Sequence, residues 1–351
     1  MLSSSCPTRR EIHPQEMPYN IAIVGAGPAG SVLARLLLNS DKQIKVTIFE
    51  AEAGIDFRSQ GGSLDLHEKT GQAALKAAGL FDEFLKWARY DGEAMKIADK
   101  KLLCYIKQGA AKKGSVSSTG RPEIDRPKLR ELLFNSLPAG TVQWNKKLRK
   151  VDDSLTLHFA DGSTQSGFDL IVGADGAWSK VRPLLSNVQP YYSGIAGHQM
   201  IISDAEKNAP DLYEMVNRGS LFSFSDSKSI MSQQMGDGCI NVSTWSTPFA
   251  GEGVNLAFAD AMKLAELIIS AASTTEQSSD QKDTLDKNVK TFEQDMFKRA
   301  TETQQLTVGA PRKGIEKYIL RAVSGELGTL VTNIVLAPIV YTWFFFFKLI
   351  Y

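Results

Sequence analysis

The feature that most constrains this chain is a glycine-rich turn between a short apolar strand and a helix. Residues Tyr19 to Val24 read YNIAIV, which is typical of a strand buried on both faces, and the next six residues read GAGPAG. Helical spacing of apolar residues follows, and then KVTIF at 45–49 predicts a second strand that ends at Glu50. This order of elements predicts a parallel α/β unit that binds a dinucleotide.

Each glycine of the turn has a separate role in such a unit. Gly25 permits the tight turn, Gly27 lets the backbone approach a pyrophosphate, and Gly30 lets the helix pack against the strand. Glu50 lies twenty residues after Gly30, where a carboxylate can accept hydrogen bonds from ribose hydroxyls. An acid at this place disfavours a 2′-phosphate, so the turn favours FAD or NAD over NADP. The alternative is a glycine turn that binds no ligand.

The composition excludes several other classes of protein. The chain has 351 residues, enough for two domains, and its 40 basic and 39 acidic residues give a net charge of +1. That balance does not indicate nucleic-acid binding. The three cysteines and four histidines have no CxxC or HxxxH spacing, which argues against a disulfide scaffold and against a metal site.

The two ends of the chain predict different structures. We expect residues 1–18 to form a disordered tail, because they are polar and contain no apolar core of a signal peptide. Within the C-terminal tail, 311–351, residues 327–347 contain no charge, and a helix of this length would span about 30 Å. We therefore favour a hydrophobic helix that anchors the protein to the cytoplasmic face of a membrane. The alternative is a buried helix in a cytoplasmic protein.

Three further segments carry features that a dinucleotide-binding unit does not require. Residues 58–67 read RSQGGSLDLH, whose glycines would let the chain pass close to a flat ring. Residues 125–133 read DRPKLRELL and predict a helix, with Asp125 as its cap and a stripe of buried leucines. Residues 173–182 read GADGAWSKVR and follow another buried strand, so their Asp-Gly pair predicts a tight turn at the end of that strand.

Together with the GAGPAG turn and Glu50, these segments resemble the class A FAD-dependent monooxygenases, the aromatic hydroxylases. The sequence is most similar to the tetracycline-inactivating monooxygenases and their fungal secondary-metabolism relatives. The resemblance implies an α/β fold, in which a Rossmann-like FAD-binding domain of the glutathione-reductase type is interleaved with an antiparallel-sheet substrate domain. We expect the FAD domain to comprise 19–90, 119–190 and 247–310, and the substrate domain to comprise 91–118 and 191–246.

The resemblance also assigns roles to particular residues. Arg58 would face the nicotinamide cofactor, while Asp65 and the helix residue Arg130 would contact FAD. Asp175 would bind FAD and NAD(P)H in the family's DG motif. On residue chemistry alone, Asp65 could equally be a turn or cap residue, and Arg130 a solvated surface arginine. The full set of expected cofactor-binding residues is Gly25, Gly27, Gly30, Glu50, Arg58, Gly62, Asp65, Arg130, Asp175, Gly251 and Gly253.

Two other assignments follow from the same resemblance. Residues 248–255, PFAGEGVN, match the family's flavin-edge loop, in which Gly251 and Gly253 let backbone N–H groups lie against the flavin. Gln199 falls where the tetracycline enzymes carry a glutamine that contacts substrate. The arginine that accompanies this glutamine has no clear match, and Ser220 is nearest to its place.

One family segment is missing. The GDAAH-like motif that should precede residue 248 is absent, and Gly236-Asp237 is better interpreted as a hairpin turn. We therefore expect several tens of residues to be deleted relative to the family, either because the gene model skips an exon or because the protein has diverged from catalysis. This loss should leave sheet edges exposed.

The leading hypothesis is a monomeric FAD-dependent monooxygenase. It would use NAD(P)H and O2 to hydroxylate an aromatic or polyketide-like small molecule in secondary metabolism, and no catalytic side chain is expected because the cofactor carries the chemistry. The alternative is a truncated homologue that binds FAD weakly or not at all, which the missing segment favours. An NAD-binding dehydrogenase is disfavoured by 125–133 and 173–182.

Overall fold

A parallel sheet carries the glycine turn. The computed structural model describes residues 19–56, 61–109, 120–189, 197–225, 228–245, 253–273 and 278–308. In it β1 (Tyr19–Val24) lies between β2 (Ile44–Phe49) and β11 (Leu170–Gly173), and β7 (Val142–Gln143) lies outside β2. All these pairings are parallel, and α1 (Pro28–Leu38) joins β1 to β2, as the sequence predicts.

The central strand is buried on both faces, which explains its run of apolar residues. Ile21 and Ile23 pack into the main apolar cluster with α1. Ala22 and Val24 point the other way, into a second cluster that contains Phe49. Because successive side chains of a strand alternate between its faces, a strand covered on both sides needs an apolar residue at every position.

A second and larger sheet shares no strand with the parallel sheet. It has six strands, mostly antiparallel, and only β13 and β4 run parallel to each other. Its order is β12 (Gly197–Ile202), β15 (Ile240–Trp245), β14 (Lys228–Gln234), β13 (Ser220–Ser225), β4 (Met95–Ala98) and β5 (Cys104–Gln108).

Two small antiparallel sheets complete the described strands. One pairs β3 (Ser63–Asp65) with β6 (Glu123–Asp125). The other joins β8 (Leu148–Val151), β9 (Leu157–Phe159) and β10 (Thr164–Gln165). The sequence indicates a β-meander over 141–159, and this is wrong for its first part. Val142–Gln143 instead extends the parallel sheet, because its backbone pairs with the end of β2.

The helices cover the parallel sheet and one side of the six-stranded sheet. The last two long helices, α7 and α8, pack against each other, and α7 also packs against α1. Apolar residues recur at spacings of four and three from Leu285 to Ala300, which predicts an amphipathic helix, and the burial of Leu285 and Phe292 in the main cluster confirms it. The helices after α1 are α2 (Ala73–Ala77), α3 (Phe81–Leu85), α4 (Arg126–Asn135), α5 (Ala205–Asn208), α6 (Pro210–Val216), α7 (Gly253–Ala271) and α8 (Ser278–Val308), with a π-helical turn at Glu68–Gln72 and 3-10 turns at Asp91–Glu93 and Arg182–Leu184.

Neither of the two tails predicted from the sequence is covered by the described structure. Residues 1–18 and the uncharged segment 327–347 lie outside the described residues. Among the helices that are described, none combines the length and the apolar character needed to cross a bilayer.

Among the edge strands in the described part of the chain, β12 and β11 have side chains that are largely accessible to solvent. β12 is the last strand of the six-stranded sheet, and its Met200 and Ile201 are 57% and 47% exposed. β11 is the last strand of the parallel sheet, and its residues Leu170 to Val172 are only half-buried. Exposed edges agree with the expectation that a family segment is missing. The deletion of that segment stays a prediction.

Candidate functional site

The glycine turn is tightly packed on one side and open on the other. Gly25 has φ +107°, and a Cβ on it would lie 2.4 Å from the Ala174 carbonyl oxygen. A Cβ on Gly30 would lie 2.1 Å from the Gly25 oxygen. At Gly27, by contrast, a Cβ would meet no atom within 4 Å. The first and third glycines therefore allow close packing, and the second faces open space, as the sequence predicts.

The open side of the turn leads to the positive end of α1. Gly27 is the N-cap residue, no side chain caps the helix, and its first turn contains no acidic residue. The first N–H groups of a helix have no partner within it, and the helix dipole adds partial positive charge there. This arrangement suits the binding of a phosphate group.

Glu50 lies against this turn, directly after β2. One carboxylate oxygen, Oε2, accepts a hydrogen bond of 2.6 Å from the Ala26 N–H, and Oε1 accepts one of 3.0 Å from the Glu52 N–H. The carboxylate thus stands beside the dinucleotide-type turn, at the place where the spacing of the motif put it.

Arg130 is buried, so its interpretation as a solvated surface arginine is wrong. The side chain extends from α4 and is 8% exposed, and its Nη2 lies 2.5 Å from Oε2 of Glu52, itself 10% exposed. The second terminal nitrogen, Nη1, is also buried and has no hydrogen-bond partner among the described residues. A buried guanidinium nitrogen without an acceptor is costly, and a bound ligand could supply the acceptor.

Asp175 provides a second buried atom of this kind, on the opposite side of the glycine turn. It follows β11, and its Oδ2 accepts a hydrogen bond of 2.7 Å from the Lys180 N–H. Its Oδ1 is buried and lacks a partner in the described structure. The Asp175 backbone nitrogen would lie 3.1 Å from a Cβ on Gly25. The DG segment and the glycine turn are therefore neighbours, although 150 residues of chain separate them.

Asn255, which the sequence interpretation did not single out, joins two of the predicted segments. It stands in the first turn of α7 and is 1% exposed. Its Nδ2 donates to the Asp65 carbonyl oxygen at 3.0 Å, and its Oδ1 accepts from the His67 N–H at 3.0 Å and from the Thr70 hydroxyl at 3.3 Å. The Asp65 carboxylate itself pairs with the His67 ring at 3.0 Å. Only the position of an asparagine after the PFAGEGV loop could have indicated this role.

Replacing Asn255 with alanine is expected to lower the free energy of unfolding by about 1–3 kcal/mol, because it leaves buried backbone groups of Asp65 and His67 unpaired. Urea unfolding measures the change. Thr70→Val is the matched control, since it removes only the longest of the three hydrogen bonds, and it should cost less than about 1 kcal/mol. Equal losses from the two variants would contradict the proposed importance of the amide.

The glycine pair of the second segment lies against the six-stranded sheet. A Cβ on Gly61 would be 2.3 Å from Nε2 of Gln199 and 2.5 Å from Oδ1 of Asn241. Gln199 in turn donates to Asn241 Oδ1 at 2.6 Å. The structure therefore brings the predicted substrate contact, Gln199, to the segment that carries Gly62. Of the remaining candidates, Gly253 begins α7, while Arg58 and Gly251 lie outside the described residues.

Asp125 stands at the N-cap position of α4, but its carboxylate does not cap the helix. Its Oδ1 lies 3.3 Å from Nη2 of Arg89, and its Oδ2 accepts a hydrogen bond of 2.9 Å from the Gly236 N–H. The prediction that the Asp125 side chain caps α4 is therefore wrong. Its largely buried carboxylate instead binds a cationic partner and the β14–β15 turn. That turn confirms the interpretation of Gly236-Asp237.

Glu123 is a buried carboxyl in the same cluster. It accepts a hydrogen bond from the Ser63 hydroxyl and lies 3.5 Å from Nη2 of Arg89. Burial raises the pKa of Glu123 from its ordinary 4.5 to about 7, against the lowering effects of Ser63 and Arg89.

Between pH 4.5 and 7 the folded chain should therefore bind the Glu123 proton while the unfolded chain releases it. The free energy of unfolding should fall by roughly 1–3 kcal/mol as the pH rises through this window. Urea unfolding at pH 4 and at pH 8 brackets that interval. Glu123→Gln should remove this part of the pH dependence, and an unchanged profile in the variant would contradict the assignment.

A cavity of the described structure lies away from the glycine turn. It has a volume of about 650 Å³ and lies by the β14–β15 turn, between Arg89, Arg218 and α5. Its lining includes no residue of the glycine turn, of Glu50 or of the DG segment. The candidate site is instead the glycine turn with its neighbouring segments, which hold two buried atoms that lack partners among the described residues.

Comparison with known proteins agrees with this geometry. The profile of a family described as an FAD binding domain matches residues 18–232. The chain is 31% identical over 246 residues to Monooxygenase asqM of Emericella nidulans, covering 65% of this chain and 54% of that protein. It is 34% identical over 233 residues to Monooxygenase penA of Penicillium thymicola, covering 62% and 51%. The chain thus spans about half the length of the curated relatives it matches.

A solved structure extends the comparison to the fold. The tetracycline destructase Tet(51) superimposes with a TM-score of 0.52 and 13% identity, covering 80% of this chain and 98% of that one. At this level of identity the likeness concerns the fold, a mixed α/β arrangement with several sheets.

Proposed function

The chain belongs to the FAD binding domain family, and on that premise we propose that it binds FAD and acts as an FAD-dependent monooxygenase. In this proposal it uses NAD(P)H and O2 to hydroxylate an aromatic or polyketide-like small molecule, within secondary metabolism. The observation that carries the proposal is the pair of buried unpartnered atoms, Nη1 of Arg130 and Oδ1 of Asp175, in segments that neighbour the glycine turn.

The donors and acceptors present fit a flavin dinucleotide. Gly27 and the N-terminus of α1 would receive the pyrophosphate, and Glu50 would accept hydrogen bonds from the ribose. Arg130 offers an unused donor, and Asp175 an unused acceptor, in sites already removed from water. Buried polar groups are almost always paired in folded proteins, so two such groups near one turn support a bound partner.

When bound, FAD supplies the redox chemistry of the reaction, receiving electrons from a reduced nicotinamide and delivering them to O2. The residues of the chain bind the cofactor, orient it and shield it from water. Gly61 and Gly62 carry no side chain, so backbone can lie flat beside the cofactor ring, and Asn255 fixes the following segment to the N-terminus of α7. No side chain needs to act as a catalytic acid or base in this scheme.

The substrate would lie on the face of the six-stranded sheet that meets Gly61. Gln199 shares this face with Met231 and Phe222, which are aligned with it across β12, β15, β14 and β13. Phe222 stacks on Phe224 with ring centroids 6.3 Å apart. An apolar, aromatic wall beside amide groups favours a flat molecule that also carries oxygen atoms.

The proposal also includes the domain organisation, the remaining cofactor contacts, the oligomeric state and the attachment to a membrane. The parallel sheet is a Rossmann-like unit of the glutathione-reductase type, and the six-stranded sheet belongs to the substrate domain with the boundaries given above. Arg58, Asp65, Gly251 and Gly253 complete the cofactor site. The protein acts as a monomer, and the segment 327–347 attaches it to a membrane.

The visible spectrum of the purified full chain tests the function. Absorbance near 450 nm that corresponds to one FAD per chain, with oxidation of NADH or NADPH that depends on the protein, is the expected result. A chain that purifies without flavin and does not take it up on addition would support the truncated, non-catalytic homologue instead.

A further inference from the structure

Three side chains from different elements converge on Gly62. A Cβ on this glycine, whose φ is +85°, would lie 3.1 Å from Oε1 of Gln233, 3.3 Å from Nδ2 of Asn241 and 3.8 Å from Nε of Arg126. The guanidinium of Arg126 and the amide of Gln233 therefore lie close together, at the junction between the Gly61–Gly62 segment and the six-stranded sheet.

Arg126 is held at this junction but has no ionic partner among the described residues. It is the first residue of α4, and its backbone N–H donates to the Gly62 carbonyl oxygen at 3.1 Å. In the described part of the chain, no carboxylate or carbonyl contacts its guanidinium within hydrogen-bond or ion-pair distance. Arg89 and Arg130, the other arginines near this site, both pair with carboxylates.

The surroundings of Arg126 favour an added anion. The residue as a whole is exposed, but partial burial of its guanidinium lowers the pKa of that group, and no acid among the described residues offsets that effect. A cation that has lost part of its hydration without gaining a counter-charge gains more from an incoming anion than a fully solvated one does.

Gln233 and its sheet neighbours add neutral hydrogen-bonding groups. Gln233 is half-buried on β14, and no described residue takes its side-chain amide. The residue opposite it on β13 is Ser220, whose buried hydroxyl also lacks a partner among the described residues. Asn241, on the other side, is already committed to Gln199.

We infer that Arg126 and Gln233 form a subsite for a negatively charged oxygen of the substrate, a carboxylate or an enolate. The planar guanidinium can bind such a group through two parallel hydrogen bonds, with the Gln233 amide as a third donor. Phe222 and Met231, two residues along from Ser220 and Gln233 on the same face, would contact the attached ring. This inference rests on the proposed function and narrows its substrate to anionic aromatic or enolic compounds.

A pair of small probes tests the subsite. Benzoate and its neutral analogue benzamide are titrated into the full chain by calorimetry, with FAD bound and without it, while the visible spectrum records FAD content. The wild-type protein is expected to prefer benzoate by about tenfold or more. Arg126→Gln should abolish this preference and leave FAD content and benzamide binding unchanged.

Two variants make the result specific. Arg126→Lys keeps the positive charge and should retain a preference for benzoate. Arg149→Gln removes an exposed arginine of β8, in a different sheet, and should leave the tenfold preference intact. No preference in the wild type, or an unchanged preference in Arg126→Gln, would overturn the subsite. Loss of FAD from the wild type with the benzoate preference preserved would overturn the proposed function alone.

Discussion

Replacing Gly30 with alanine is expected to destabilise the fold by about 3 kcal/mol or more. The added Cβ would lie 2.1 Å from the backbone oxygen of Gly25 and 3.2 Å from both the Ala174 Cβ and the Ile23 Cγ2. A flexible side chain could move away, but the closest contact is backbone inside a tight turn. Relief therefore requires α1 to shift away from β1, which opens the main apolar cluster.

Gly27→Ala is the matched control for this prediction. Its Cβ would meet no protein atom within 4 Å, and its φ of −69° suits any residue. The free energy of unfolding should therefore change by less than about 0.5 kcal/mol. FAD affinity should nevertheless fall by about tenfold or more, because the methyl group fills the space through which the pyrophosphate approaches. Equal thermal stability of the two variants would refute the packing role of Gly30, and unchanged FAD affinity of Gly27→Ala would refute the phosphate role of Gly27.

Replacing Arg130 with alanine should cost about 3–5 kcal/mol of stability, because it removes a buried cation that contacts the Glu52 carboxylate. The side chains of this pair are 8% and 10% exposed, so water cannot easily replace the lost partner. The resemblance, which places Arg130 against FAD, predicts only loss of FAD for this variant, without unfolding. The buried ion pair adds the stability cost to that prediction.

The double variant Arg130→Met with Glu52→Met separates the two roles of the arginine. Replacing both members of a buried pair by apolar residues is often neutral or stabilising, so the fold should recover. FAD occupancy should stay low, because the unpartnered Nη1 is still missing. Chemical unfolding and the flavin absorbance of the same preparation give both values. Recovery of FAD together with stability would show that Arg130 serves the fold alone.

The sequence predicts those parts of the fold that depend on local patterns of residues. β1, the glycine turn, α1 and β2 occupy one continuous stretch, and each glycine has its own steric reason there. The helix that carries Arg130 and the amphipathic helix α8 also follow from their spacing of apolar residues. For these elements the local preference and the tertiary structure agree.

The parts that escape the sequence depend on partners far along the chain. Asp125 has every local feature of a helix cap, yet Gly236, which is 111 residues away, takes its carboxylate. The amide of Asn255 binds groups 185 to 190 residues away, and no periodicity reports such a contact. Arg130 could be interpreted as a surface residue because its partner Glu52 lies outside its own helix. Local propensity does not indicate which of several groups, distant in sequence, a side chain will contact.

The packing of α1 against α7 also has a consequence for how the protein is made. More than 200 residues of chain separate these helices, so α1 leaves the ribosome long before the surface that covers it exists. At roughly 5–20 residues per second, the nascent chain waits on the order of 10–40 s before α7 emerges. Throughout that interval the surface of α1 that α7 covers in the folded protein lacks this partner. A nascent chain that is released before α7 has been made therefore leaves this surface of α1 exposed.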